Sequence, residues 1–137
     1  MFPVFKELDI TLVAYTPLAK GFLSGAYDKR PEFGHPEDNR SGRHQYSEEG
    51  FKYYQAVLDL IRDIAKEKNA TLAQISLAWM MNKEDFIVPI PGTRTPSRMK
   101  ENLDASDIKM TKDELSRIDE ALEKMNLSDT ASFWKPH

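Results

Sequence analysis

Two short, uninterrupted apolar runs limit this chain more than anything else in it: Ile10 to Tyr15 (ITLVAY) and Phe86 to Ile90 (FIVPI). Both are rich in β-branched and aromatic residues and neither alternates with polar ones, the signature of parallel strands buried on both faces. Each stops at a turn residue, Pro17 after the first and Pro91-Gly92 after the second. A parallel sheet needs helices on both faces, and ordinary sheets hold about five or six strands. Two are too few to close an architecture, so the rest of the sheet is expected to lie outside this chain.

The remaining segments read as helices. Tyr54, Val57, Leu58, Ile61, Ile64 and Ala65 recur at helical spacing behind Ser47, Glu48 and Glu49, which supply a cap and first-turn acids, so a helix is predicted over 47–68. Thr71-Leu72-Ala73-Gln74 is a capping box, and the apolar residues behind it (Leu72, Ile75, Ala78, Trp79, Met80) spread round most of the surface, as in a deeply buried helix. Thr95-Pro96 places a cap and an N1 proline before Met99 and Leu103, and Thr111 with Glu114 caps a last amphipathic helix. Phe2, Val4, Phe5 and Leu8 read as the end of a helix, as if the chain starts inside a βα unit. The order is β-α-α-β-α-α, class α/β, with a long polar loop after the first strand.

Composition excludes several functions. The chain has 137 residues, the length of one domain, and 22 acidic against 19 basic residues give a net charge of -3. No global basic field exists to attract nucleic acid or an anionic membrane, so any anion site must be local. No cysteine is present, which excludes disulfides, thiolate metal sites and thiol catalysis and fits a reducing cytoplasm. Lys6, Glu7 and Asp9 interrupt the apolar N-terminus, and no run approaches the roughly 20 apolar residues of a membrane span. The expectation is a soluble, cytoplasmic protein, in which the triplets at Asn69 and Asn126 would never meet a glycosylation enzyme.

Two segments carry chemistry. In IPGTRTPSRMKENL, Ile90 to Leu103, a strand end leads through glycine, hydroxyl and basic residues into a helix start. Gly92 permits close backbone approach, first-turn amides follow Thr95, and Arg94 and Arg98 offer forked bonds to a phosphate. Glu101 and Asn102 follow one turn later, where they could read a base edge. In YTPLAKGFLSG, Tyr15 to Gly25, Gly21 and Gly25 would let the backbone wrap a diphosphate, and Thr16 adds a hydroxyl. Each segment alone is equally well a capped turn with solvated side chains. Two of them at the C-terminal ends of two parallel strands are a stronger signal, because that edge is where α/β sheets and barrels bind ligands.

Together these motifs resemble the C-terminal part of an aldo-keto reductase. YTPLAKGFLSG, ATLAQISLAW, VPIPGTR and RMKENL stand in that family's order and spacing across nearly the whole chain. The resemblance implies a partial (β/α)8 TIM barrel, with 1–137 as one C-terminal fragment of two βα units and ITLVAY and FIVPI as the seventh and eighth strands. It implies NADP as cofactor and, for the parent enzyme, hydride transfer between NADPH and a carbonyl. It sets Thr16, Pro17, Leu18, Ala19, Gly21 and Leu23 along the diphosphate, Thr93, Arg94 and Arg98 by the 2′-phosphate, Glu101 and Asn102 by the adenine, with Ile90 and Gly92 in the same cofactor site. Thr16 stands where the family usually has serine, and Asp9 where it commonly has glycine. No segment matches the family's catalytic Asp, Tyr, Lys or His, so no residue is assigned as catalytic and the isolated chain is expected to be inactive.

Three alternatives remain open from sequence: a complementing N-terminal fragment supplies the missing strands, a second copy does so as a homodimer, or the chain is a relic without activity. His35, His44 and His137 lack the short spacing of a metal pair and read as solvated residues. Tyr15, Tyr53 and Tyr54 read as packing residues, the stretch 26–46 as a lid or a disordered loop, and Trp134 as a surface anchor or part of a frayed end.

Overall fold

The computed structural model describes residues 2–35 and 37–125. Helix α1 (Phe2–Glu7) leads into strand β1 (Leu12–Tyr15), and a 3-10 segment, Ala19–Ser24, follows the strand. A second 3-10 turn, His44–Tyr46, precedes α2 (Glu48–Tyr53), α3 (Gln55–Glu67) and α4 (Leu72–Lys83). Strand β2 (Ile87–Ile90) then leads to α5 (Pro96–Asp104) and α6 (Lys112–Lys124). The predicted single helix over 47–68 is divided at Tyr54, whose ring packs edge-on against Phe22 at 5.8 Å while the adjacent Tyr53 hydroxyl donates to the Met125 carbonyl. The backbone at Tyr54 nonetheless stays right-handed helical (φ -84°, ψ -2°), with the Tyr54 amide on the Gly50 carbonyl at 3.0 Å and the Leu58 amide on the Tyr54 carbonyl at 3.2 Å, so the two helices run on from one another.

Local rules account for the element ends. The Ser47 hydroxyl accepts from the Gly50 amide, and both capping boxes close, Thr71 with Gln74 and Thr111 with Glu114. Asp9 and Asn69 follow α1 and α3 in the left-handed conformation, with φ of 52° and 50°, at Asp9 the position where the family commonly has glycine. Thr95 is an exception. It starts α5 without a side-chain capping bond; instead the Thr93 hydroxyl accepts from the Thr95 amide at 3.2 Å.

Strands β1 and β2 pair in parallel with Val13 opposite Val88 and Tyr15 opposite Ile90. They are not buried on both faces. Ile87 is buried where α4 packs behind β2, but Val13 is 55% exposed, Tyr15 76%, Val88 47% and Ile90 50%. These four side chains share one sheet face, since alternate residues point the same way. Among the described residues no element covers that face. The core lies beside the sheet, where Val57, Leu58, Ile61 and Ile64 of α3 meet Leu72 and Ile75 of α4, Ile118 of α6 and the aromatic rings of Phe22 and Tyr46.

Two helix-to-helix ties set the frame. Trp79 Nε1 and Lys83 Nζ both donate to Asp119 Oδ1, at 2.9 and 2.7 Å, joining α4 to α6. Lys68 pairs with Glu114 at 2.9 Å, joining the end of α3 to the start of α6. Burial works to raise the Glu114 carboxyl, but the Thr111 amide and Lys68 together hold it below the ordinary carboxylate range.

Candidate functional site

At the C-terminal ends of β1 and β2 lies a cleft of about 670 Å³. One wall is the loop after β1. Its backbone is left-handed at Thr16 (φ 56°), Ala19 (47°) and Lys20 (58°) as well as at Gly21 (95°). For residues with a Cβ that conformation costs roughly 1–2 kcal/mol each, so it persists only because the surroundings enforce it. The enforcing contacts are the Tyr46 hydroxyl donating to the Lys20 carbonyl at 3.1 Å and the loop's own turn bonds, the Ala19 amide on the Thr16 carbonyl at 2.9 Å and the Gly21 amide on the Leu18 carbonyl at 2.8 Å. Tyr46 is 2% exposed, and burial pushes its phenol up to about 12, so it remains a donor at every physiological pH.

The other wall runs from the end of β2 into α5. Ile90, Gly92, Thr93, Arg98, Glu101 and Asn102 all line the cleft, and Gln74 of α4 fixes this wall by donating to the Glu101 carbonyl at 3.2 Å. Gly92 lines the cleft, and a Cβ built on it meets no atom within 4 Å, so the space beside this backbone is open. Across from it stand Thr16, Pro17, Leu18 and Gly21. Thus the fold brings two motifs some 75 residues apart to one site.

Three residues that the resemblance sets on the cofactor do not line the cleft. Ala19 and Leu23 pack partly buried against the core, and Arg94 is exposed outside the lining. Other residues join without having been anticipated, chiefly Lys20, Tyr27 and Arg40. Lys20 lies inside the YTPLAKGFLSG motif and its charge was a legible signal. Arg40 carried none, because the polar stretch after Tyr27 has no periodicity to place it.

Within that stretch Arg40 is held firmly. It donates to both Asp38 oxygens, at 2.6 Å in the shortest bond, and to the Tyr27 hydroxyl at 3.0 Å, with its guanidinium 4.4 Å from the Phe33 ring centre. These hydrogen bonds pull the Asp38 carboxyl down to about 2 and raise Arg40. Tyr15, expected to pack, instead presents its ring to the cleft; neighbouring Thr16, and then the Lys20 charge, draw its phenol below the ordinary value.

Among the described residues no group of acidic and histidine side chains could hold a metal ion, and no helix is long and apolar enough to cross a membrane. His137, Trp134 and the triplet at Asn126 lie outside the described residues.

Comparison with known proteins places these features. A family model described as Aldo/keto reductase family matches residues 1–123. An aldo-keto reductase from Strobilurus tenacellus is 33% identical over 122 residues, covering 89% of this chain and 36% of the relative. One from Schizosaccharomyces pombe, whose name carries NADP(+), is 38% identical over 117 residues, covering 85% of this chain and 34% of the relative. The chain therefore spans about a third of the length of the curated relatives it matches. Among solved structures, a glycerol dehydrogenase from Gluconobacter oxydans superposes with a TM-score of 0.81 at 20% identity, over 92% of this chain and 38% of that one, a likeness of fold.

Proposed function

The chain belongs to the aldo/keto reductase family, and from that premise we propose that it forms the cofactor-gripping part of an NADP-dependent reductase, the seventh and eighth βα units of the barrel. The observation that carries this reading is the single cleft in which the loop after β1 faces the start of α5. The residues fit a phosphorylated dinucleotide. Arg98, with no ion pair among the described residues, meets the 2′-phosphate with Thr93, and Arg94, outside the cleft lining, adds a second positive charge before α5. Thr16, Pro17, Leu18 and Gly21 offer backbone and hydroxyl to the diphosphate, with Ala19 and Leu23 shaping the loop from behind. Glu101 and Asn102 read the adenine edge.

When bound, NADPH would supply the hydride for reduction of an aldehyde or ketone. This chain's residues contribute binding and orientation of the adenosine half, with segment 26–46 as a lid beside the cleft. No turnover is expected from the chain by itself, because a positioned proton donor is needed beside the carbonyl and none is assigned here.

The test is a fluorescence titration with NADPH and NADH, run on the unmutated chain and on Gly92→Val. Saturable binding that prefers NADPH, weakened about tenfold or more by filling the open space at Gly92, supports the reading. Equal binding of the two nucleotides, or no effect of the valine, overturns it.

A second reading rests on a different observation, the uncovered face of Val13, Tyr15, Val88 and Ile90. Each strand also keeps one unpaired edge among the described residues, which another strand would complete. We infer that a second copy or a complementing fragment covers this face.

A further inference from the structure

The cleft is lined by three cationic side chains, and their states differ. Arg40 is already neutralised by its forked pairing with Asp38. Arg98 carries the phosphate site proposed above. Lys20 is the third. Its Nζ donates at 3.0 Å to Asn39 Oδ1, a neutral amide, and among the described residues no carboxylate pairs with it. Its backbone is fixed by the buried Tyr46 hydroxyl on its carbonyl, so the ammonium group is delivered to the cleft from an anchored position.

We propose that Lys20 is the cation that binds the diphosphate, held at rest by Asn39. An ammonium group bonded to an amide oxygen keeps its full charge. A phosphate oxygen adds the attraction of opposite charges, and the three donors of an ammonium group let Lys20 take that oxygen while Asn39 keeps one bond and holds the side chain in place. Arg40 cannot serve in its place, because leaving Asp38 would strand a carboxylate beside the incoming anion. Lys20 and Arg98 stand on opposite walls, one on the loop after β1 and the other on α5, so they grip two separate phosphate groups of one ligand. This assignment rests on the dinucleotide reading above, yet it can be tested apart from it.

The experiment measures binding of inorganic pyrophosphate, NADPH and adenosine 2′-monophosphate to the unmutated chain, Lys20→Gln, Asn39→Asp and the double variant. Lys20→Gln should weaken pyrophosphate and NADPH about tenfold and leave adenosine 2′-monophosphate within about twofold, since that ligand lacks the diphosphate. Asn39→Asp places a carboxylate on Nζ and should weaken the same two ligands, and the double variant, which leaves that carboxylate unpaired beside the incoming anion, should bind them more weakly than either single variant. Circular dichroism on each variant confirms folding. Pyrophosphate binding that depends on Lys20, in a chain that does not prefer NADPH over NADH, would sustain the lysine and refute the dinucleotide reading. NADPH preferred and bound equally well by Lys20→Gln would do the reverse. No pyrophosphate binding by the unmutated chain, or uniform loss for all three ligands in Lys20→Gln, would overturn the proposal.

Discussion

Replacing Gly50 with alanine tests how the cleft wall is held up from beneath. Gly50 is buried in the first turn of α2, and a Cβ there would stand 2.6 Å from the His44 carbonyl carbon and 2.9 Å from Nδ1, with the carbonyl oxygen nearer still. No rotamer relieves a backbone clash, so α2 and the 44–46 turn must separate. The turn is pinned by the Ser47 amide and hydroxyl on the His44 carbonyl, both at 2.8 Å, and by the Gly50 amide on the Ser47 hydroxyl at 3.0 Å. Overpacking costs roughly 1–3 kcal/mol and loss of the cap about 1, against a gain of about 1 from alanine's helix propensity. The net is about 2 kcal/mol of lost stability, read as a lower urea midpoint at unchanged slope. Because the displaced turn carries Tyr46, whose hydroxyl holds the Lys20 carbonyl, pyrophosphate affinity should fall in the same variant. Ser47→Ala, which loses the cap without the clash, should cost only about 1 kcal/mol. A Gly50→Ala chain as stable as the unmutated one would refute the account of this contact.

Arg98→Ala should remove most of the preference for NADPH over NADH, about tenfold or more, while Arg94→Ala, outside the cleft lining, should cost less; isothermal titration with both nucleotides decides between them. The Glu114 carboxyl titrates below its ordinary value in the folded chain, so its contribution is present above about pH 4.5 and is lost as pH falls through the folded value. Urea midpoints between pH 6 and 3 should therefore fall less steeply in Glu114→Gln. For Tyr46, whose phenol is raised to about 12, the sign reverses: stability is intact below pH 10 and lost as pH rises toward 12, a slope that Tyr46→Phe should abolish. Val13→Lys with Val88→Lys charges the open sheet face, and if a second copy covers it light scattering should then report a lower mass than for the unmutated chain; a monomer in both cases would refute the second copy as the cover.

Much of this protein is legible without coordinates, and the legible part is local. Capping at Ser47, Thr71 and Thr111 depends on atoms within four residues, so the helix starts follow from the residues themselves. The same holds for the left-handed turn at Asp9 and for the two apolar strands, since β-branched residues in an unbroken run leave few other conformations. The family motifs were readable for a related reason: each is a contiguous segment, two of them at strand ends and two in helices. Tertiary structure decided what depends on partners far along the chain. Whether ITLVAY is buried on both faces is a question of what covers it, and α4 and its neighbours cover one side, leaving Val13 and Tyr15 open. The partners of the tyrosine pair are equally distant in sequence, Phe22 against the Tyr54 ring and the Met125 carbonyl on the Tyr53 hydroxyl. Periodicity could not separate Arg98 from Arg94, because which arginine turns into the cleft is set by how α5 seats on α4. Nor could it rank Lys20 above Arg40: both carry one charge in sequence, and only the fold shows Arg40 paired with Asp38 and Lys20 resting on a neutral amide.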